Sequence, residues 1–108
     1  MKYALKAKKV ELTPRVKEYV DKKMQMLDKY LGKLQVIDCR VEVGLVVGGQ
    51  KTGEIFQTEI ILEMPHGLLV IAKHESDLFK SIDKAKDHLA RSIVKYKERI
   101  IDRRRKGK

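Results

Sequence analysis

Cysteine is almost missing from this chain: Cys39 is the only one in 108 residues. A lone cysteine excludes an intramolecular disulfide and a multi-cysteine metal cluster. Cys39 falls in an alternating apolar stretch, where it reads as a small buried hydrophobe rather than a reactive thiol. Long apolar runs are also lacking. No segment approaches the ~20 residues of a membrane-spanning helix. Met1–Val10 holds four lysines and no continuous apolar stretch, so no secretory signal is read there, and the expected location is the cytoplasm. The histidines are few and scattered: His66, His74 and His88 fall on three different elements. They form no H-x-x-x-H pair, and no Ser-His-Asp or Cys-His set can be assembled. The Gly48–Gly53 stretch has glycines and Lys51, but its spacing fits no P-loop and no helix follows. The sequence thus reads as a non-enzyme without metal, cofactor or small-molecule substrate. Aromatics make up only 6%. A sheet that stacks single-stranded RNA needs several on one open face, and here Phe56 stands nearly alone.

What is abundant is charge, and mostly of one sign. Lys and Arg number 25 against 15 Asp and Glu, a formal net charge of +10. The charged fraction of 37% exceeds the ~25% of an average soluble domain. Such an excess suits a polyanion, nucleic acid or an anionic membrane surface. The apolar fraction of 43% argues against disorder, and the length suits a single compact domain with a real core.

The pattern along the chain is β-α-β-β-β-α. Tyr3, Leu5 and Ala7 alternate with lysines within Met1–Val10, the first strand. Thr13-Pro14 opens a helix, with Thr13 as cap and Pro14 in the first turn. Val16, Tyr19, Val20, Leu27, Tyr30 and Leu31 continue it to a stop at Gly32. Ile37–Val47 alternates cleanly, with Ile37, Cys39, Val41, Val43, Leu45 and Val47 on one face. Residues 48–53 form a hairpin tip. Glu54–Met64 and Leu68–Ala72 are the third and fourth strands, turned by Pro65-His66-Gly67, the fourth ending near Lys73. Ser76 or Asp77 caps a last helix that runs to about Ile101. The expected fold is α+β: a four-stranded, mainly antiparallel sheet with two helices packed on one face. Residues 1–102 make the single domain, and 103–108 a frayed basic tail.

The last helix carries the functional signal. At ~100° per residue, Leu78, Ile82, Ala85, Leu89, Ile93, Tyr96 and Ile100 fall on one face. Lys80, Lys84, Arg91 and Lys95 fall opposite, within roughly 60° of one another. Consecutive members climb by ~6–10 Å, a spacing that can follow a phosphate backbone. Asp87 and Glu98 dilute this rail. Lys86 and Lys97 border the apolar face, where their stems can lie along it. Asp83 and Asp87 are surrounded by lysines and read as helix-surface ion pairs rather than a catalytic dyad. His88 falls on the outer side, as an RNA contact or a solvated histidine. A cationic face of this kind binds by charge and shape, with no base code. Arg15, Lys22 and Lys29 are weaker candidates on the first helix, whose outer side also holds Glu18, Asp21 and Asp28.

The last helix, in this order of elements, resembles the ribosome hibernation-promoting factor family, also described as ribosome-associated inhibitor or subunit-interface proteins. The likeness rests on Asp77-Leu78-Phe79, Ile82-Asp83, Leu89-Ala90-Arg91 and Lys95-x-Lys97. Val10-Glu11-Leu12-Thr13 and Lys29-Tyr30-Leu31 support it upstream. Phe79 stands where tyrosine is usual, a change that removes a hydroxyl. The resemblance implies a domain similar to a double-stranded-RNA-binding fold. It also implies binding to the small ribosomal subunit, and to the 70S ribosome, through 16S ribosomal RNA in the channel of messenger and transfer RNA. Translation would be blocked, and inactive ribosomes stored under stress or in stationary phase. By position, Lys80, Lys84, Arg91, Lys95 and Lys97 become the expected RNA contacts. The chain would be a short form or the N-terminal domain of a long form. The reading set against this one is a general double-stranded-RNA module.

Overall fold

Both long helices start at caps the sequence supplies. The Thr13 hydroxyl accepts a hydrogen bond from the Val16 N–H at 3.2 Å, and Pro14 occupies the first turn of α1 (Pro14–Gln25). Asp77, one of the two expected caps, accepts from the Lys80 N–H at 3.1 Å and opens α3 (Leu78–Lys106). The computed structural model describes residues 1–46 and 53–106, with side chains through Ile101. Most of the expected hairpin tip, and residues 107–108, lie outside the described residues.

Four strands form one sheet in the order β1-β2-β3-β4: β1 (Ala4–Lys8), β2 (Asp38–Val46), β3 (Ile55–Met64) and β4 (Gly67–Glu75). β1 pairs parallel with β2, and the other two pairings are antiparallel, so the sheet is mainly antiparallel as expected. The parallel pair needs a crossover, which α1 and a short α2 (Asp28–Leu31) provide. The strands pack closely at Gly44: a Cβ there would meet the Lys8 carbonyl oxygen at 2.9 Å. Any side chain at Gly44 would push β1 off the sheet.

The alternation of each strand sends one set of side chains toward the helices. Cys39, Val41 and Val43 from β2, Ile60, Leu62 and Met64 from β3, and Ile71 from β4 are buried there. They meet Val16, Val20 and Met24 of α1 and Ile82, Ala85, Leu89, Ile93 and Tyr96 of α3. Burying a side chain the size of Leu89 or Ile93 contributes about 1.5–3 kcal/mol, so this stripe fixes α3 on the sheet. A polar pair lies inside it. Thr58 and Ser81, both fully buried, share a hydrogen bond of 2.7 Å, and the Ser81 hydroxyl donates to the Leu78 carbonyl at 2.6 Å. Both hydroxyls are thereby satisfied, and α3 is pinned in register over β3.

Boundaries differ from the sequence reading: β1 is confined to Ala4–Lys8 within the expected Met1–Val10, and three further differences are larger in effect. The first helix does not run unbroken to Gly32. Beyond Gln25 the chain tightens, with the Leu27 N–H bonding the Met24 carbonyl at 3.1 Å, and resumes as α2. Leu27 and Leu31 stay in the core across this turn, as their helical spacing with Val16 and Val20 requires. Gly32, at φ 56°, ends α2 as expected. β4 extends past Ala72 to Glu75, because its ladder with β3 continues through Thr58↔Lys73 and Phe56↔Glu75. α3 continues to Lys106, beyond the expected end near Ile101.

Candidate nucleic-acid interface

The outer surface of α3 is set by what its inner surface buries. With Leu89 and Ile93 fully enclosed, Lys80, Lys84, Arg91 and Lys95 are left exposed along one line. None of the four forms an ion pair among the described residues. Asp87 is held by its neighbour Lys86 at 2.8 Å, and this hydrogen bond keeps its carboxyl below the usual carboxylate range. The acid nearest the rail's midpoint is therefore already neutralised by a cation that is not on the rail.

The remaining candidates are distributed. Arg15 lies at the start of α1 with its guanidinium 5.0 Å from the centre of the Phe79 ring, so it is held beside the first turn of α3. Lys22 is exposed on α1, and Lys29 on α2 covers the Tyr30 ring at 5.1 Å. Lys97 is half-buried on the flank of α3 that faces α2; its ammonium would come within 3.4 Å of a Cβ at Gly32. The structure thus groups Lys80, Lys84, Arg91 and Lys95, sets Arg15 near their N-terminal end, and places Lys97 apart on the other flank.

The seam between α1 and α3 explains where Asp83 goes. The sequence suggested ion pairs within α3. Asp83 is instead taken across the seam: the Tyr19 hydroxyl donates to it at 2.6 Å and the Lys23 ammonium reaches it at 3.1 Å. The Asp83 hydrogen bond raises the Tyr19 hydroxyl to about 12. Tyr19 also meets Phe79 edge-on, ring centres 4.9 Å apart. These contacts pair Asp83 and Lys23 with each other across the seam.

On the cationic flank, Lys73 was absent from the expected contacts, and His88 had two open readings. Lys73 lies on β4 in the same alternation as Leu69 and Ile71, so it points toward α3; extending the β4 pattern past Ala72 would have found it. His88 is not the freely solvated histidine that was one sequence reading. Its ring is half-buried, with Nδ1 enclosed and unpaired. Burial first, then Lys73, Arg91 and Lys95, hold its imidazole below the usual histidine value.

Chemistry of other kinds has little to work with. Among the described residues no group of three or more His, Cys, Asp or Glu side chains is placed to hold a metal. Cys39 is buried, and burial pushes its thiol up to about 11. No described helix is long and apolar enough to cross a membrane.

Known proteins share the sequence pattern and the fold. The family described as sigma 54 modulation protein / S30EA ribosomal protein matches residues 3–101. A ribosome hibernation promotion factor of Deinococcus radiodurans is 32% identical over 98% of this chain and 54% of its own length. The Bacillus subtilis protein of the same name is 28% identical over 93% of this chain and 50% of its own. The chain thus spans about half the length of these curated relatives. The crystal structure of the Thermus thermophilus Protein Y N-terminal domain superposes with a TM-score of 0.74 at 26% identity, covering 89% of this chain and 99% of that one. A ribosomal subunit interface protein from Coxiella burnetii shares the fold at TM-score 0.70 and 16% identity, over 91% of this chain and 99% of its own. With the match running through every strand and both long helices, the chain belongs to the sigma 54 modulation protein / S30EA ribosomal protein family.

Proposed function

We propose that this chain is the ribosome-binding part of a hibernation factor, and that it acts by occupying space rather than by catalysis. Its target is the small ribosomal subunit, alone or within the 70S ribosome, and its contacts are to 16S ribosomal RNA. The observation that carries the reading is the unpaired row Lys80, Lys84, Arg91 and Lys95 on a helix anchored to a sheet. Arg15, Lys22, Lys29 and Lys97 extend the basic surface. The names of the relatives support the hibernation role.

The mechanism is steric. A preformed basic wedge fills the channel that messenger and transfer RNA need, and the occupied ribosome stays inactive under stress. Several phosphate contacts release counterions, so binding weakens steeply with salt, by about two to four decades from ~50 to ~200 mM. Co-sedimentation of the chain with small subunits, large subunits and intact ribosomes tests this. Binding to small subunits that messenger RNA or initiator transfer RNA displaces is the expected result. Equal affinity for a plain RNA duplex would favour a general double-stranded-RNA module.

A further inference from the structure

The flank where α3 meets β4 holds four basic side chains and an unusual histidine. β4 is an edge strand, so nothing in the sheet lies beyond it. Lys73 projects from β4 on the helix-facing side, opposite the buried Thr58 in the β3 ladder. The Thr58–Ser81 bond pins α3 over that same register. His88 follows Ser81 by two turns, about 10 Å along the helix, with Lys84 one turn before it and Arg91 and Lys95 one and two turns after. Its Nδ1 has no partner among the described residues. Nδ1 is therefore held by no hydrogen bond among the described residues, while cations approach the ring from two elements.

We propose that Lys73, His88, Arg91 and Lys95 form a subsite for one backbone phosphate of the bound RNA, with the imidazole engaging that phosphate in its protonated form. The proposal rests on the RNA-binding reading above and adds two residues and a proton to it. The charged groups around the ring are Lys73 from β4 and Lys84, Arg91 and Lys95 from α3. Glu75 is further along β4, opposite Phe56, and the helix-facing side of β3 offers only Phe56, Thr58, Ile60, Leu62 and Met64. Without RNA, burial and then the neighbouring cations disfavour a further positive charge here and hold the imidazole below its ordinary value. A phosphate reverses the local field. Binding then takes up a proton, so affinity rises as pH falls through the histidine range.

The sign separates binding from stability. A histidine held below its ordinary value in the folded state contributes stability above pH ~6.5, which is lost as pH falls further. Acid therefore weakens the free fold slightly while tightening its grip on RNA.

The test is small-subunit binding at constant salt between pH 8 and pH 6, with wild type, His88→Gln and His88→Lys. Wild-type affinity is expected to rise about threefold to tenfold toward pH 6. His88→Gln should stay at the weak level throughout, and His88→Lys should stay tight throughout. Circular dichroism checks that both variants fold. In parallel, the His88 ring signals are titrated by NMR with and without a short RNA duplex, and the duplex should move the titration to higher pH. Identical pH profiles for wild type and His88→Gln, with no such movement, would overturn the subsite. Absence of any subunit binding would defeat the ribosomal reading instead, and the duplex titration would still decide the subsite.

Discussion

The helical layer and the open face of the sheet both meet solvent, but they present different charge patterns. Along α3, Lys80, Lys84, Arg91 and Lys95 stand in line, and Asp87 is already occupied by Lys86. On the open face, Lys6, Lys8 and Arg40 are interleaved with Asp38, Glu42, Glu59 and Glu63. Lys6 lies opposite Glu42 in the β1–β2 register, and Arg40 pairs with Asp38 at 3.2 Å. The β4 edge of that face adds Leu68 and Val70, each more than half exposed. A net charge of +10 is thus no uniform coat. A polyanion responds to the local row of unpaired cations, and among the described residues the helical layer offers one where the open face of the sheet does not.

That contrast can be broken from beneath. Leu89 is fully buried directly behind the rail. Leu89→Ala is expected to cost about 2–5 kcal/mol in denaturant unfolding while removing no charge. Under conditions where this variant remains folded, its salt dependence of binding should match wild type. The contrast is sharpened by changing charge and sparing the core. Arg91→Ala with Lys95→Ala is expected to weaken small-subunit binding about tenfold to a hundredfold, with unchanged thermal stability. Lys6→Ala with Arg40→Ala removes the same formal charge from the sheet and should change binding by less than about threefold. The smallest effect is expected at the seam. Tyr19→Phe deletes the 2.6 Å bond to Asp83, a half-buried contact worth about 1 kcal/mol. It should lower the melting temperature by a few degrees and leave binding close to wild type.

Much of this was legible in the sequence because period and face are strict. The alternation of Cys39, Val41 and Val43 and the helical spacing of Ile82, Leu89 and Ile93 both survive as buried stripes. The exposure of Lys80, Lys84, Arg91 and Lys95 follows from the same wheel. The illegible parts depend on tertiary neighbours. No local rule sends Asp83 across to Tyr19 and Lys23 when lysines on its own helix are available. The break after Gln25 has no proline or glycine to announce it, and Leu27 and Leu31 keep the spacing of an unbroken helix across it. Lys73 was hidden because β4 was read as ending early, and its nearness to His88 comes from the packing of α3 over the sheet.

The most direct test of the central claim is the salt dependence of binding to isolated small subunits. Wild type, the Arg91→Ala/Lys95→Ala variant and the Lys6→Ala/Arg40→Ala variant would be compared from ~50 to ~200 mM salt. The account expects a steep wild-type slope, a slope shallower by about two phosphate contacts for the α3 variant, and an unchanged slope for the sheet variant. Equal slopes for wild type and the α3 variant, or an equal loss from the sheet variant, would contradict it.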